Sequence, residues 1–467
     1  MPPLFDKVLV ANRGEIARRV MRTCRRLGIR TVAIYSEADR DAPHVTDADE
    51  RVLVGPAPVK DSYLNLEAIV AAIRETGAAA VHPGYGLLSE KAEFARAVAQ
   101  AGAVFVGPPP QVLASFGDKI RARRVAVEAG TAPVPGTDEP IALDTEAGVE
   151  QARQVAAQVG YPIVVKAVGG GGGIGMQVVG EPRLLERALR SCSDRGKAAF
   201  ADARVYLERY VDEPRHIEVQ VFCDERGGAY ALGERECSVQ RRHQKIVEET
   251  PSPAAFFEGA AGGARREALH AAALRVVKHA GYVGAGTCEF IADAEGNLFF
   301  LEVNARLQVE HPVTEMVSGL DLVELQLRVA AGESLPDLSL VARRGHAIEA
   351  RVYAEDPSKG FLPKPGAIDE LVWAGGAGEA QTERLRVESG VSAGSQVTPY
   401  YDPMIAKVIA WNETRRGAID ELDRALAGTV VAPCTTNLVF LRRVLADEEF
   451  RAGRYDTRFA EALAKRG

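Results

Sequence analysis

The stretch Val164-Val-Lys-Ala-Val-Gly-Gly-Gly-Gly-Gly-Ile-Gly-Met176 places five consecutive glycines just after a lysine. Glycine has no Cβ, so its N–H groups can approach a ligand closely and its φ can be positive. Successive N–H groups in such a loop form a concavity for anions. The lysine precedes the glycines, which excludes the GxxxxGK(S/T) phosphate loop. Tyr161 to Val168 reads as the end of one strand and Gly175 to Gly180 as the start of another, which excludes the strand-to-helix dinucleotide fingerprint. The expectation is a hairpin flap between antiparallel strands that closes over phosphates, with Lys166 reaching an α- or β-phosphate. The bland alternative is a loose surface hairpin. Five glycines cost about 0.5–1 kcal/mol each relative to alanine, and a loop that closed on nothing would recover little of that.

A second signal lies in Phe300-Leu-Glu-Val-Asn-Ala-Arg-Leu-Gln-Val-Glu-His-Pro312. Glu302, Asn304, Arg306, Gln308 and Glu310 alternate with apolar residues, so an extended segment shows them on one face. If Asp293 to Gly296 makes a four-residue turn, Glu289 points to that same face. Two carboxylates and an amide oxygen together suit Mg²⁺ bound with nucleotide phosphates. An ordinary solvated sheet face is the competing reading, and the glycine flap weighs against it.

The run Glu234 to Glu249 gathers Arg235, Arg241, Arg242, His243 and Lys245. Alone it could be a solvated charged strand. In an acidic chain, a local cationic cluster is where an anionic substrate would be focused. Cys237 adjoins it and could be imagined as a nucleophile, but packing is the better reading.

The bulk numbers narrow the class. The chain has 467 residues, 57 basic against 64 acidic, and a net charge of −7, so two or three domains are expected and general binding to nucleic acid or a membrane surface is not. No apolar run approaches the roughly 20 residues of a membrane span. No secretory signal is visible, and six scattered cysteines without CxxC pairs fit a reducing cytoplasm. The first hundred residues alternate strand and helix patterns, implying βαβ units and a parallel sheet. Strands are expected at 215–223, 229–240, 285–292 and 298–304, and helices near 414–427 and 435–446.

Taken in order, ANRGEIA, HPGYGLLSE, GDK, KAVGGGGGIGM, PRHIEVQV, CSVQRRHQKIVEE, GAGTCEF, LEVNARLQVEHPVTE, EARVYAEDP and YYDPMIAKVI make nearly the whole chain similar to biotin carboxylases, which are ATP-grasp enzymes. The resemblance implies an α/β fold, α+β in parts, with three-domain ATP-grasp architecture. Its parts are an N-terminal parallel βαβ domain (1–113), linker helices (114–137), a glycine-flap lid (138–210) and a larger mixed C-terminal domain (211–467). It also implies ATP-dependent carboxylation of biotin with bicarbonate through carboxyphosphate, as the first half-reaction of an acyl-CoA carboxylase such as acetyl-CoA carboxylase.

The resemblance assigns residues as well. ATP would meet Lys119, Lys166, Gly172, Gly173, Glu208, Arg209, Tyr210, Val211, His216, Gln240, His243, Glu289 and Glu302. Mg²⁺, or Mn²⁺, would be held by Glu289, Glu302 and Asn304. Bicarbonate would meet Lys245, Arg306, Gln308, Val309 and Arg351. Glu310 would be its base, and Lys245, Arg306 and Arg351 would also be catalytic. Biotin would lie at Tyr85 and Arg351. The family loop usually carries Arg or Lys where this chain has Ile174. No methionine here is followed by lysine, so the biotinyl carrier and the carboxyltransferase are expected on other chains, with a homodimer as the assembly.

Overall fold

The structure is a computed structural model describing residues 4–137, 139–168, 175–200, 202–373 and 382–466. Gly172, Gly173 and Ile174 therefore lie outside the described residues. Lys7–Val10 (β1) is a buried strand, and Gly14–Arg26 (α1) returns the chain so that Arg30–Ser36 (β2) pairs with it in parallel. Glu50–Gly55 (β3), Leu66–Thr76 (α2), Ala80–His82 (β4), Ala92–Gln100 (α3) and Val104–Phe105 (β5) complete a five-stranded parallel sheet, order β3-β2-β1-β4-β5. Val8 and Val10 pack with α1 on one face, while Leu9, Val32 and Ile34 pack with α2 and α3 on the other.

The strand order reverses between β1 and β4, where such sheets bind ligands beyond their carboxyl ends. Asn12, just after β1, donates Nδ2 to the carbonyls of Pro83 and Tyr85, each at 2.8 Å, and so joins the two loops there. Gly84 between them has φ +62°, and a Cβ on it would lie 2.8 Å from Asn12 Nδ2. A larger residue would both strain the backbone and push the loops apart.

Lys119–Glu128 (α4) starts at Asp118, whose carboxylate accepts the N–H groups of Ile120 and Arg121. Glu146–Val159 (α5), Ile163–Ala167 (β6), Met176–Val179 (β7), Leu185–Phe200 (α6) and Val205–Arg209 (β8) form a small unit with antiparallel sheet order β7-β6-β8. Lys166 pairs directly with Met176, so the glycine run does connect two antiparallel strands. Its core contains Ala152, Ile163, Val165, Leu189 and Leu207.

The rest is organised by an eight-stranded antiparallel sheet. Its strands are Arg215–Cys223 (β9), Ala229–Arg241 (β10), Gln244–Thr250 (β11), Gly284–Ala292 (β12), Leu298–Asn304 (β13), His346–Tyr353 (β14), Leu385–Ser389 (β15) and Met404–Asn412 (β16). The order is β13-β12-β9-β10-β11-β14-β16-β15. Gly259–His279 (α7) covers one end, His311–Ser318 (α8) follows β13, and Arg415–Ala427 (α9) covers the other end.

Two expectations change. The β12–β13 turn spans five residues, 293–297, because Asp293 bonds Asn297 through both backbone and side chain. A longer turn alone would put Glu302 on the wrong face. The register instead passes from Phe290↔Phe300 to Glu289↔Glu302, so Leu301 is an extra, bulged residue that restores the facing. The strand also ends at Asn304 and does not run to Glu310. Pro312, which has no N–H to give a sheet, stands in the first turn of α8, and Glu310 becomes that helix's N-cap.

Candidate functional site

A cleft of about 470 Å³ opens between the small unit and the large sheet, lined by Lys119, Arg123, Lys166, Tyr206, Glu208, His216, Gln240, His243, Lys245, Glu289, Glu302, Asn304, Arg306, Gln308, Val309 and Arg351. A second cavity of about 490 Å³ adjoins it through Gln244, Arg306, Val309 and Arg351, and carries Tyr85 with Asn12, Glu15, Tyr353, Tyr400 and Tyr401. Among the residues expected to meet ATP, Arg209, Tyr210 and Val211 do not line the cleft. Arg209 stacks on Phe299 and lies 3.6 Å from Asp293. The N–H groups of Arg209 and Tyr210 bond the carbonyls of Pro135 and Pro162.

On β6, Lys166 projects from the sheet and pairs with Glu208 of the neighbouring β8. Arg123 of α4 holds the same carboxylate at 3.2 Å. Burial alone would lower the Lys166 pKa, but Glu208 and Tyr206 outweigh it and the net shift is upward.

Glu289 is the junction of the site. Its Oε1 accepts from Lys245 (2.9 Å), Asn304 (2.9 Å) and Gln308 (3.2 Å), and its Oε2 lies 2.9 Å from His216 Nε2. Burial would raise this carboxyl, yet Lys245 and His216 hold it below the usual range. Glu302 opposite is different. Burial first, then the charge of Glu289, raises its pKa, and among the described residues no side chain donates to it. A desolvated carboxylate beside a second one, with an amide oxygen on the adjacent position, is a donor set that fits a hard divalent cation. His216, Glu218 and Glu289 also offer closely grouped ligand atoms, but Lys245 bonds both carboxylates of that group. Glu289 and the Asn304 oxygen are engaged by Lys245 and Arg306 as well, so Glu302 is the carboxylate of the set without a side-chain donor among the described residues. The open position is on the Glu302 side.

Beyond β13 the polar side chains stay linked although the strand has ended. Arg306 donates to Asn304 Oδ1 and to Gln308 Oε1, each at 3.0 Å. Its Nε faces Glu90 at 3.2 Å, and Glu90 also accepts the Ala305 N–H. Glu310 lies fully buried behind the lining. Lys245 Nζ is 2.7 Å from its Oε1 and Arg351 3.0 Å from its Oε2. Burial opposes ionisation of Glu310, but Lys245, Arg351 and Arg235 hold it well below the carboxylate range. Lys245 contacts Glu218, Glu289 and Glu310 together, and those charges overcome its burial to raise its pKa.

The cationic cluster is only partly a substrate surface. His243 and Lys245 face the cleft. Arg235 is buried against Glu218, Gln220, Thr287 and Thr314. Arg241 pairs with Glu355, and Arg242 turns away to Gly360 and Glu461. Arg242 and His243 form a two-residue hairpin loop between β10 and β11, both at positive φ (51° and 64°). Cys237 is fully buried, and burial pushes its thiol well up, so it offers no thiolate.

Glu218 and Glu90 escaped the motif reading. Glu218 had a signal: His216, Glu218 and Gln220 alternate with Ile217, Val219 and Val221 on β9. Glu90 reaches Arg306 from a distant loop, which no local pattern shows.

Family profiles described as biotin carboxylase, N-terminal domain (residues 4–113), carbamoyl-phosphate synthase L chain, ATP binding domain (118–338) and biotin carboxylase C-terminal domain (349–462) match the chain. Biotin carboxylase 2 of Bacillus subtilis is 47% identical over 98% of this chain and 99% of its own length. The propionyl-CoA carboxylase alpha chain of Ruegeria pomeroyi is 45% identical, covering 98% of this chain and 68% of its own. A Campylobacter jejuni biotin carboxylase, solved as a β-γ-ATP complex, aligns with a TM-score of 0.91 at 40% identity, covering 98% of this chain and 99% of its own. The biotin carboxylase domain dimer of Hydrogenobacter thermophilus 2-oxoglutarate carboxylase, solved with MgADP, ADP and bicarbonate, aligns with a TM-score of 0.90 at 43% identity, covering 98% and 97%. With full-length kinship of this depth and a cleft of this composition, the chain belongs to the biotin carboxylases, a family of ATP-grasp ligases.

Proposed function

We propose that the protein carboxylates biotin presented by a separate carrier protein, consuming ATP and bicarbonate, as the first half-reaction of an acyl-CoA carboxylase. The observation that carries this reading is the single cleft in which Glu302, Asn304, Arg306, Gln308 and Lys245 succeed one another, backed by the buried Glu310, and which meets a second cavity at Arg351. The domain division at residues 113, 137 and 210 belongs to the same proposal, with 138–210 as the lid.

In this scheme Lys166 and Lys119 hold ATP phosphates, and His216, Gln240 and His243 line the nucleotide side. Glu208 to Val211 offer the adenine a hinge, through backbone groups in the case of residues 209–211. Mg²⁺ held by Glu289, Glu302 and Asn304 would neutralise phosphate charge. Arg306, Gln308, Lys245 and the Val309 N–H orient bicarbonate. Glu310 starts as an ionised partner of Lys245 and Arg351. An incoming anion draws those cations toward itself, and the proton affinity of Glu310 then rises, which fits it to take the proton of bicarbonate. The deprotonated bicarbonate attacks the γ-phosphate, the bond to the β-phosphate breaks to release ADP and leave carboxyphosphate, and Lys245 meets the developing charge. Carboxyphosphate hydrolyses readily, so a closing lid protects it. It releases CO₂ and phosphate, the phosphate removes the ureido proton, and the biotin enolate adds to CO₂ to form the N–C bond of carboxybiotin, with Arg351 balancing its charge while Tyr85 flanks the ring.

We place the protein in the cytoplasm as a homodimer that works with a biotin carboxyl carrier protein and a carboxyltransferase. All six cysteines are free and buried, and no helix among the described residues is long and apolar enough to cross a membrane. The test is ATP hydrolysis by the purified chain. It should require bicarbonate and rise with free biotin, whereas hydrolysis indifferent to bicarbonate would overturn the assignment.

A further inference from the structure

Lys407 is fully buried on β16, directly opposite Arg351 on β14. Like charges in that cross-strand position repel, and burying both is costly unless each has a fixed partner. Their partners are consecutive residues of one turn. Arg351 holds the Glu310 carboxylate at 3.0 Å, and Lys407 Nζ donates to the Val309 carbonyl at 2.8 Å. Lys407 also lies 3.2 Å from Glu15 Oε2 in the N-terminal unit. The other oxygen of Glu15 accepts from Tyr85, whose ring lies 5.9 Å from Lys407 Nζ.

Residues 308–310 carry no sheet pairing. The backbone holds the Gln308 and Glu310 carbonyls through the His311 and Val313 N–H groups, each at 3.3 Å, which leaves the Val309 carbonyl between them to the side-chain contact of Lys407. His311 Nδ1 bonds the Gln308 carbonyl at 2.7 Å and fixes the peptide on one side of Val309. Lys407 fixes the peptide on the other side.

We propose that Lys407 is a positioning residue for the bicarbonate step: by holding the Val309–Glu310 peptide it sets where the Glu310 carboxylate stands behind the cleft wall and steadies the turn that carries the Val309 N–H, and through Glu15 it ties that turn to the Tyr85 wall of the adjoining cavity. This rests on the reading of that turn as the bicarbonate site. Lys407 touches no substrate. Its loss would blur the aim of two groups that do, and a misaimed N–H and carboxylate weaken bicarbonate without altering the nucleotide side.

The test is steady-state kinetics of bicarbonate-dependent ATP hydrolysis by K407M and R306Q in the full chain, with folding checked by circular dichroism and thermal melting. K407M should raise the KM for bicarbonate by about tenfold or more, the loss expected for a charge-assisted contact, with the KM for MgATP unchanged. A folded K407M with an unaltered bicarbonate KM, or with both KM values raised alike, overturns the proposal. If R306Q also leaves the bicarbonate KM unchanged, the bicarbonate site itself is misread. If R306Q raises it and K407M does not, only the role of Lys407 falls. Should K407M fail to fold, E15Q, which keeps Lys407 and loosens its anchor, carries the same test with the same two outcomes at smaller amplitude.

Discussion

Glu289 and Glu302 stand directly opposite one another on β12 and β13, and the bulge at Leu301 is what brings them face to face. Without a cation, that facing costs stability, because burial and the neighbouring charge both oppose ionisation of Glu302. Glu302→Gln is therefore expected to stabilise the metal-free protein by about 1 kcal/mol, read by urea unfolding in EDTA. The same variant should bind MgATP at least about tenfold more weakly, measured by calorimetry. A variant less stable in EDTA than the parent would contradict this account of the pair.

Glu248 supplies a pH test. It is fully buried and pairs with Arg351, with Glu349 opposite it on β14 and Glu310 and Lys245 nearby. Burial first, then Glu310, pushes its pKa from 4.5 to about 7 against the pull of Arg351 and Lys245. Below pH 4.5 the folded and unfolded states both hold the proton. Between 4.5 and 7 only the folded state does, so stability declines as pH rises through that window. The shift corresponds to about 3 kcal/mol. Glu248→Gln should remove this part of the slope in urea titrations across pH 4.5–8, and parallel curves for the two proteins would refute the assignment.

The Arg242–His243 loop sets function against stability. Two-residue hairpins of this kind favour Asn-Gly because both positions need positive φ, and here both carry large side chains. His243→Gly should gain about 1 kcal/mol in stability by relieving that strain, while raising the KM for ATP through loss of a cleft side chain. A destabilised His243→Gly would show that the loop is held by contacts stronger than its strain.

Ile174 stands where the resemblance to the family's loop leads one to expect a cation. Restoring one by Ile174→Arg is expected to lower the KM for ATP by about 10- to 150-fold, the worth of a charge-assisted contact of about 1.5–3 kcal/mol. An unchanged or higher KM in a folded variant would show that this chain does without that contact.

Local patterns carried much of the architecture. The glycine run and its flanking apolar pairs give the β6–β7 hairpin, and β-rich patterns give β9, β10, β12 and β13 within a residue or so of where they lie, whereas the alternation from Glu302 to Glu310 outruns the strand, which ends at Asn304. The facing of Glu289 and Glu302 was also legible, though the expected route to it was not: a longer turn and a bulge replace a short turn, and only the register distinguishes them. What stayed hidden depends on distance along the chain. Glu90 meets Arg306 across 216 positions and Lys407 meets Glu15 across 392. Arg235 and Arg241 read either as solvated charge or as part of an anion-focusing cluster, and are neither, because nothing nearby in sequence reveals the carboxylates Glu218 and Glu355 that they are buried against.

The link from Lys407 to Val309 and Glu15 also bears on how the chain is made. Synthesis must proceed beyond Asn412 before β16 can pair and set that lysine beneath the turn. A growing polypeptide that stops short of β16 therefore lacks the contact that holds the Val309 carbonyl.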